Sequence, residues 1–522
     1  MKRRAIAAVL CCVLMLAVFS GCGGTPATAI RMDIDGPVHN LDPQFATDPT
    51  ARMILHNLFE GLAVLGADGR VRPGAAQSWQ ISPDGLTYTF TLREDARWQD
   101  ASPLTAADFV FAFQRMFSPQ TPSPFARDFL AIAGAREVLE GEANIEALGV
   151  RASGENTVVF TLARPSGDFL TRLTQTGAMP TNREAFEDAR GRYGLEARYL
   201  KANGAFSLTR WDNARFLQLD RNAYFRESEM LHDQRVIFYI GRTDPVRQFL
   251  DGRSDLLLIP SDRLEQAGGG ERIPTTGTTW ALVFNQNAQP WNNTLLRQAL
   301  ALTLDYSLLG EHLPVHLSPA AGLIPPGLMA GERSFRETFG SALTTDPQLG
   351  RRLYNRGLTA IDQPRLPATS AFSLEDHFPF LEIAGFSWAG ELGGQPNLAA
   401  ATADQMETRR SGGDFGVLLL PFTAPDESPG SILMHFHSAG PQNRFGYNNP
   451  RFDHALEMAA NAGDPEAIAG YFRLAEEILL EDAAVIPLFF ETGYHALAEG
   501  LTGLEIFPFG GRIYFHYAQK LG

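Results

Sequence analysis

In the run LTYTFTL, Leu86, Tyr88, Phe90 and Leu92 alternate with three threonines. That period of two predicts a strand with one buried face. SPDG, Ser82 to Gly85, reads as the turn before it. Upstream, Ile54, Leu58 and Leu62 recur at helical spacing in ARMILHNLFEGL. Downstream, SPLTAADFVFAFQRMF predicts a helix that Thr105 can cap, with Asp108 in its first turn. Phe109, Phe113 and Met116 or Phe117 form its buried stripe.

From 157 to 258 short apolar runs alternate with helical ones. TVVFTLA, FSLTRW, RFLQLDR and VIFYI read as strands, and DPVRQFLDG as a helix closed by Gly252. TTWALVFNQ (278–286) predicts a further strand, and NNTLLRQALALTLDYSLLGEHL (292–313) one long helix. Residues 318–412 are rich in Pro and Gly and weakly periodic. After 450, two helical runs, PRFDHALEMAANA and DPEAIAGYFRLAEEILLED, precede the apolar strand AVIPLFF. Strands interleaved with helices over 522 residues predict an α/β (mixed α+β) protein of two or more domains.

The first residues follow another pattern. MKRR is a basic start, AIAAVLCCVLMLAVF an apolar run, and Ser20–Gly21 stand immediately before Cys22. This is the form of a secretory leader, 1–21, followed by a polar tether, 22–29. Cys11, Cys12 and Cys22 are the only three cysteines, so the mature chain keeps one and no disulfide framework is expected. Beyond the leader no window is apolar for the roughly 18 residues of a membrane span. Hydrophobic residues at 44% and charged residues at 20% fit a globular chain, and a formal charge of −15 without a basic block speaks against a nucleic-acid partner.

Catalytic signals are weak. There is no G-x-S-x-G elbow, no Gly-rich phosphate loop after a strand, and no calcium-spaced acid cluster. His312 and His316 are separated by Pro314, so they do not share a helical face, and His435 and His437 would share one side only of a strand. PFTAPDESPG (421–430) sets Asp426 and Glu427 among prolines, in a segment where Pro421, Pro425 and Pro429 each fix φ. Neither a catalytic set, a metal nor a cofactor is expected.

An ordered series of motifs changes the picture. LDPQ (41–44), NLFEGLAVLGADGRVRPGAAQSW (57–79), SPDGLTYTFTLREDARWQDASPLTAADFVFAFQRM (82–116), NGAFSLTRWDNARFLQLDRNAYF (203–225), FLDGRSDL (249–256), FNQNAQPWNNTLLRQALALTLD (284–305), IPPG (324–327) and DAAVIPLFF (482–490) follow one another. Together they resemble the family 5 extracellular solute-binding proteins of ABC importers, with the closest likeness to the oligopeptide-binding branch. The likeness is strong over about 36–310, moderate over 415–495 and poor over 330–410.

The resemblance implies a two-lobed periplasmic-binding-protein-like fold with two crossover strands. Its first lobe would span 30–275, with a subdomain inserted at about 56–165, and its second 276–484, with 485–522 returning to the first. It implies a lipid-anchored binding protein, acylated at Cys22, that captures peptides by hinge closure and delivers them to permease subunits. The chain would act outside the cytoplasm, as a monomer. The alternatives are a binding protein for another solute and a surface sensor or chaperone that has kept the fold.

By the same resemblance Thr47 and Asp48 lie on the edge that pairs with the peptide backbone. Phe111, Phe249 and Trp280 fall where aromatic residues line the site, core packing being the other reading of each. Phe422 and Thr423 precede the ammonium-binding position, and Arg410 matches a basic residue near the carboxylate end. Two departures stand out. Pro425 occupies the place of the ammonium-binding aspartate, with Asp426 one residue late, and Leu419 replaces a basic residue of the carboxylate contact. Asp426 is therefore the expected ligand-facing acid.

Overall fold

The computed structural model describes residues 28–522, except 67–68, 232–233, 261–262, 269–270, 332, 425, 427, 441, 510 and 522. The leader, Cys22 and most of the tether lie outside the described residues, as do Pro425 and Glu427.

Helix starts follow from a repeated local rule. Asp48–Pro49, Asp244–Pro245, Asp346–Pro347, Asn449–Pro450 and Asp464–Pro465 each open a helix, the side chain accepting from a first-turn N–H. Proline fits the next position because its missing N–H would have had no partner there. The helix Ala106–Met116 starts as expected: Asp108 accepts from the Thr105 amide at 2.8 Å. The expected single helix over 292–313 is two, Thr294–Leu302 and Tyr306–His312. Thr303 turns its hydroxyl back to the Ala299 carbonyl at 2.7 Å, and Asp305 caps the second helix through the Ser307 and Leu308 amides, both at 3.0 Å.

The Tyr88, Phe90 and Leu92 face is buried, as the alternation predicts. It belongs to a four-stranded antiparallel sheet, Ala76–Ile81, Thr87–Leu92, Thr157–Thr161 and Val150–Ala152. A much larger sheet of eleven strands runs through both halves of the molecule. Its order is Asn397–Ala401, Ser370–Leu374, Val417–Thr423, Glu271–Phe284, Val485–Leu497, Leu256–Ile259, Thr28–Ile34, Gln234–Ile240, Phe216–Arg221 and Phe206–Asp212, with Leu317–Pro319 pairing at the side of Val485–Leu497. The first half buries one core, from Ile30 to Leu256 and again from Leu497 to Ala518, so the chain's end returns to its beginning. The second half is built on Trp280 to Phe489.

Two long strands, Glu271–Phe284 and Val485–Leu497, belong to both halves. Both reach further than the apolar runs 278–286 and 484–490 suggested. Their ladder shifts register twice, between Trp280 and Ala281 and, at mid-length, where Thr275 pairs with Gly493 and Thr278 with Glu491, so Thr276 and Gly277 oppose Thr492 alone. Such a two-against-one bulge sharpens the local twist. A side chain on Gly277 would put its Cβ 2.2 Å from the Pro508 carbonyl oxygen, so only glycine fits. Residues 318–412, unreadable by periodicity, contain the helices Pro347–Ala360, Phe378–Leu392 and Ala403–Gly412 and two parallel strands.

Candidate functional site

Beside the bulge lies a cavity of about 580 Å³ bounded by both halves. The first half contributes Asp33, Asp35, Pro49, Thr50 and Leu258, and the second Thr423 and His316. The crossing strands supply Thr275, Gly277, Thr278, Glu491 and Thr492. Threonine here is β-branched and so suits a strand, while its hydroxyl suits a wet wall. Thr276 and Thr492 share a hydroxyl hydrogen bond at 3.0 Å, and Thr278 and Thr423 another at 2.8 Å. Asp33 is paired with Arg242 at 2.8 Å. His495, buried in the wall, has its pKa pushed down to about 4 by burial and is neutral at pH 7.

Glu491 accepts the Trp280 indole N–H at 2.7 Å. The Trp280 ring is stacked on His377, centroids 3.7 Å apart and planes 20° apart, with Phe489 alongside. His377 was not singled out by sequence, because its partner comes from a strand distant in the chain and no local period marks it.

A second set of charges stands where the halves touch. The Gly167 amide donates to the Ala462 carbonyl at 2.9 Å, joining them directly. Next to Gly167, Asp168 accepts from Arg172 Nε at 2.7 Å and from the Ser166 hydroxyl at 2.7 Å. Asp128 stands 3.9 Å from the same guanidinium. Partial burial pushes its pKa up to about 6; Arg172 opposes the rise and the charge of Asp426, from the other half, adds to it. The Asp128 side chain nonetheless keeps 42% of its surface accessible. Asp426 uses Oδ1 to accept from the Ser428 amide at 2.9 Å.

The expected site residues separate into two groups. Thr423 lines the cavity, Trp280 is tied to its wall through Glu491, and the charge of Asp426 is felt at the Asp128–Arg172 cluster. Thr47 and Asp48 are exposed at the start of the segment whose Pro49 and Thr50 line the cavity. Asp48 is occupied as a helix cap, accepting from the Ala51 amide at 2.9 Å. The others are not brought to the cavity. Phe111 packs edge-on to Phe186, 5.5 Å away, under the Arg183 guanidinium at 4.1 Å. Phe249 packs on the small core around Val246, Leu257 and Ile259. Phe422 is buried against Phe436 and His435, and Arg410 is paired with Glu407 at 2.7 Å on the helix Ala403–Gly412.

The strand Val417–Thr423 has one unfinished edge. On one side it pairs with Glu271–Phe284 over its whole length, Thr278 to Phe284 facing Thr423 to Val417. On the other, only Val417 and Leu418 pair, with Ala371 and Phe372. From Leu419 to Thr423 that edge has no strand partner among the described residues.

Comparison with known proteins follows the geometry. The profile of the family described as Bacterial extracellular solute-binding proteins, family 5 Middle, matches residues 70–443. The dipeptide-binding protein DppE of Bacillus subtilis (strain 168) is 25% identical over 479 residues, covering 90% of this chain and 88% of that protein. The periplasmic oligopeptide-binding protein OppA of Escherichia coli (strain K12) is 28% identical over 468 residues, covering 87% and 85%. Among solved structures, the substrate-binding domain of an oligopeptide ABC transporter from Bacillus anthracis superposes with a TM-score of 0.74 at 24% identity, covering 95% of this chain and 99% of that one.

Proposed function

Because the chain belongs to the bacterial extracellular solute-binding proteins of family 5, we propose that it is the capture component of an ABC importer. It encloses a peptide between its lobes, outside the cytoplasm, and passes it unaltered to a membrane permease. The observation that carries this reading is the open edge of Leu419–Thr423, which reaches the interlobe cavity at Thr423. Apart from Pro421, which has no N–H, the unpaired edge offers N–H and C=O groups at the spacing of an extended chain, so a peptide can add as one more strand whatever its side chains. The threonine-rich walls leave room for water, which adapts a polar site to varied side chains. The names of the peptide-binding relatives support the same substrate class.

On this reading Asp426 takes the ligand's ammonium end, while Thr423 and Thr47 border its backbone. Trp280 walls a side-chain pocket. Phe111, Phe249 and Phe422 serve packing. The lobes divide as 30–275 with 485–522 against 276–484. Ser20–Gly21–Cys22 supports anchorage through an acylated cysteine. Replacement Cys22→Ser should release the protein from membranes; membrane binding with retained lipid label would refute the anchor alone.

The test of capture is mass spectrometry of the solute that co-purifies with the protein, followed by calorimetry with that solute. A recovered, intact peptide is expected. Recovery of a non-peptide solute, with no heat from peptides, would overturn the substrate class.

A further inference from the structure

A second cavity, of about 340 Å³, lies within the first lobe and shares no lining residue with the interlobe cavity. His56, on the helix Pro49–Leu58, and His516, on the returning C-terminal segment, both face it. His56 is 4% exposed, and its Nε2 is buried with no hydrogen-bond partner. The His516 ring is stacked on Tyr514, 5.0 Å between centroids, and hydrogen-bonds the His56 backbone, while its Nε2 is likewise buried without a partner. A buried polar nitrogen left unmatched is costly, so two in one cavity ask for an occupant.

The surrounding charge says which kind. Arg72, Arg93 and Arg226 line the cavity, and the charges of Arg52 and Arg512 bear on His56 from behind. Against these five cations stand three carboxylates, Glu60, Glu227 and Glu505. Glu60 accepts from Arg226 Nε at 2.9 Å, and Glu227 receives both Arg226 and the Tyr517 hydroxyl. Arg512 is 4% exposed, and its Nη1 has no hydrogen-bond partner. Arg93 spends only its Nε, on the Gly74 carbonyl at 2.9 Å. In a chain of net charge −15, this is a local concentration of positive charge, with unspent donors on Arg93 and Arg512.

We propose that this first-lobe cavity binds a small oxyanion, a carboxylate or a phosphate, held by Arg93 and by the Nε2 atoms of His56 and His516. The His516 ring already bonds a backbone carbonyl through its other nitrogen, so its Nε2 can donate to an anion only as an imidazolium. Binding therefore takes up a proton. Burial and the neighbouring arginines hold both histidines neutral at pH 7 in the empty cavity, and a bound anion reverses that balance.

The test is NMR of histidine-labelled full chain titrated separately with acetate and with inorganic phosphate, sodium chloride matching the ionic strength. The His56 and His516 signals should shift saturably with at least one oxyanion and not with chloride, and more tightly at pH 6 than at pH 8. Saturation by acetate alone assigns the site to carboxylates, by phosphate alone to phosphates. Replacement Arg93→Gln, at a half-buried position, should weaken the midpoint about tenfold or more, with an unchanged Tm showing that the fold is kept. Signals unmoved at about 50 mM anion, well above a millimolar Kd, would overturn the site. So would an Arg93→Gln midpoint equal to that of the parent protein.

Discussion

Asp128 and Asp168 meet the same guanidinium and respond in opposite directions. For Asp168, burial raises the pKa but is outweighed by the charge and hydrogen bond of Arg172, and the net shift is downward. Asp128 has no bond at 3.9 Å, and burial wins. The pH consequences differ in sign. An acid with a raised folded pKa binds more protons when folded, so between its unfolded value near 4 and about 6 stability falls as pH rises. Asp168 contributes stability above its unfolded value and loses it as pH drops. Replacement Asp128→Asn should therefore raise Tm at pH 7 and flatten the decline between pH 4 and pH 6. Parallel melting curves for both proteins across that window would show that Asp128 is not the group responsible. Asp426→Asn should weaken peptide binding by roughly 2–5 kcal/mol, the usual loss when one partner of a buried charge pair goes. Glu427→Gln should matter much less, since the ammonium role is assigned to Asp426 alone. Equal affinity for free and N-acetylated peptide, unchanged by Asp426→Asn, would sink the ammonium role while leaving the importer assignment standing. The Asp426–Asp128 approach itself was not legible in sequence, because it exists only where the lobes meet.

Local chemistry was most legible for single elements. The helix starts at Asp244–Pro245 and Asp464–Pro465, the capping pair Thr105–Asp108 and the alternation at 86–92 were each readable because every signal lies within a few residues of its effect. Asp305 shows the limit: apolar periodicity runs straight through it, and only its cap to Ser307 and Leu308 divides the run. Removing that cap with Asp305→Ala should cost about 0.5–2 kcal/mol in denaturant unfolding with an unchanged m-value. No loss would mean that the break is held by Thr303 alone. The crossing strands were under-read for a different reason. Their inner halves, Thr275–Thr278 and Glu491–His495, border a cavity and so lack an apolar face. The helix Phe378–Leu392 escaped notice for the opposite cause. It is apolar nearly all round, burying Phe380, Leu381 and Trp388 while Phe386 is exposed, so no polar face marks its period.

For the whole molecule, the two-lobed plan came from the resemblance and not from the residues taken one by one. The match of the family profile and the shared eleven-stranded sheet bear it out. The lobes meet at a place where size is limiting: a Cβ on Gly167 would fall 2.7 Å from Ile468 Cδ1 and 3.1 Å from the Ala462 oxygen. Gly167→Leu should hold the lobes apart, enlarging the radius of gyration in X-ray scattering with ligand present. Peptide affinity should fall roughly tenfold, as the competent state becomes rare. A normal ligand-bound radius with normal affinity would mean that this contact does not limit closure.

The bulge at Thr276 and Gly277 bears also on how a captured solute could leave. Both crossing strands are stitched into one hydrogen-bonded sheet on either side of it. The lobes are thus denied independent drifting and left with a rotation about a few peptide units. Motions of that kind run in microseconds to milliseconds. On the proposed function, a partner that grips both lobes and turns one of them would empty the cavity without competing for a single contact inside it.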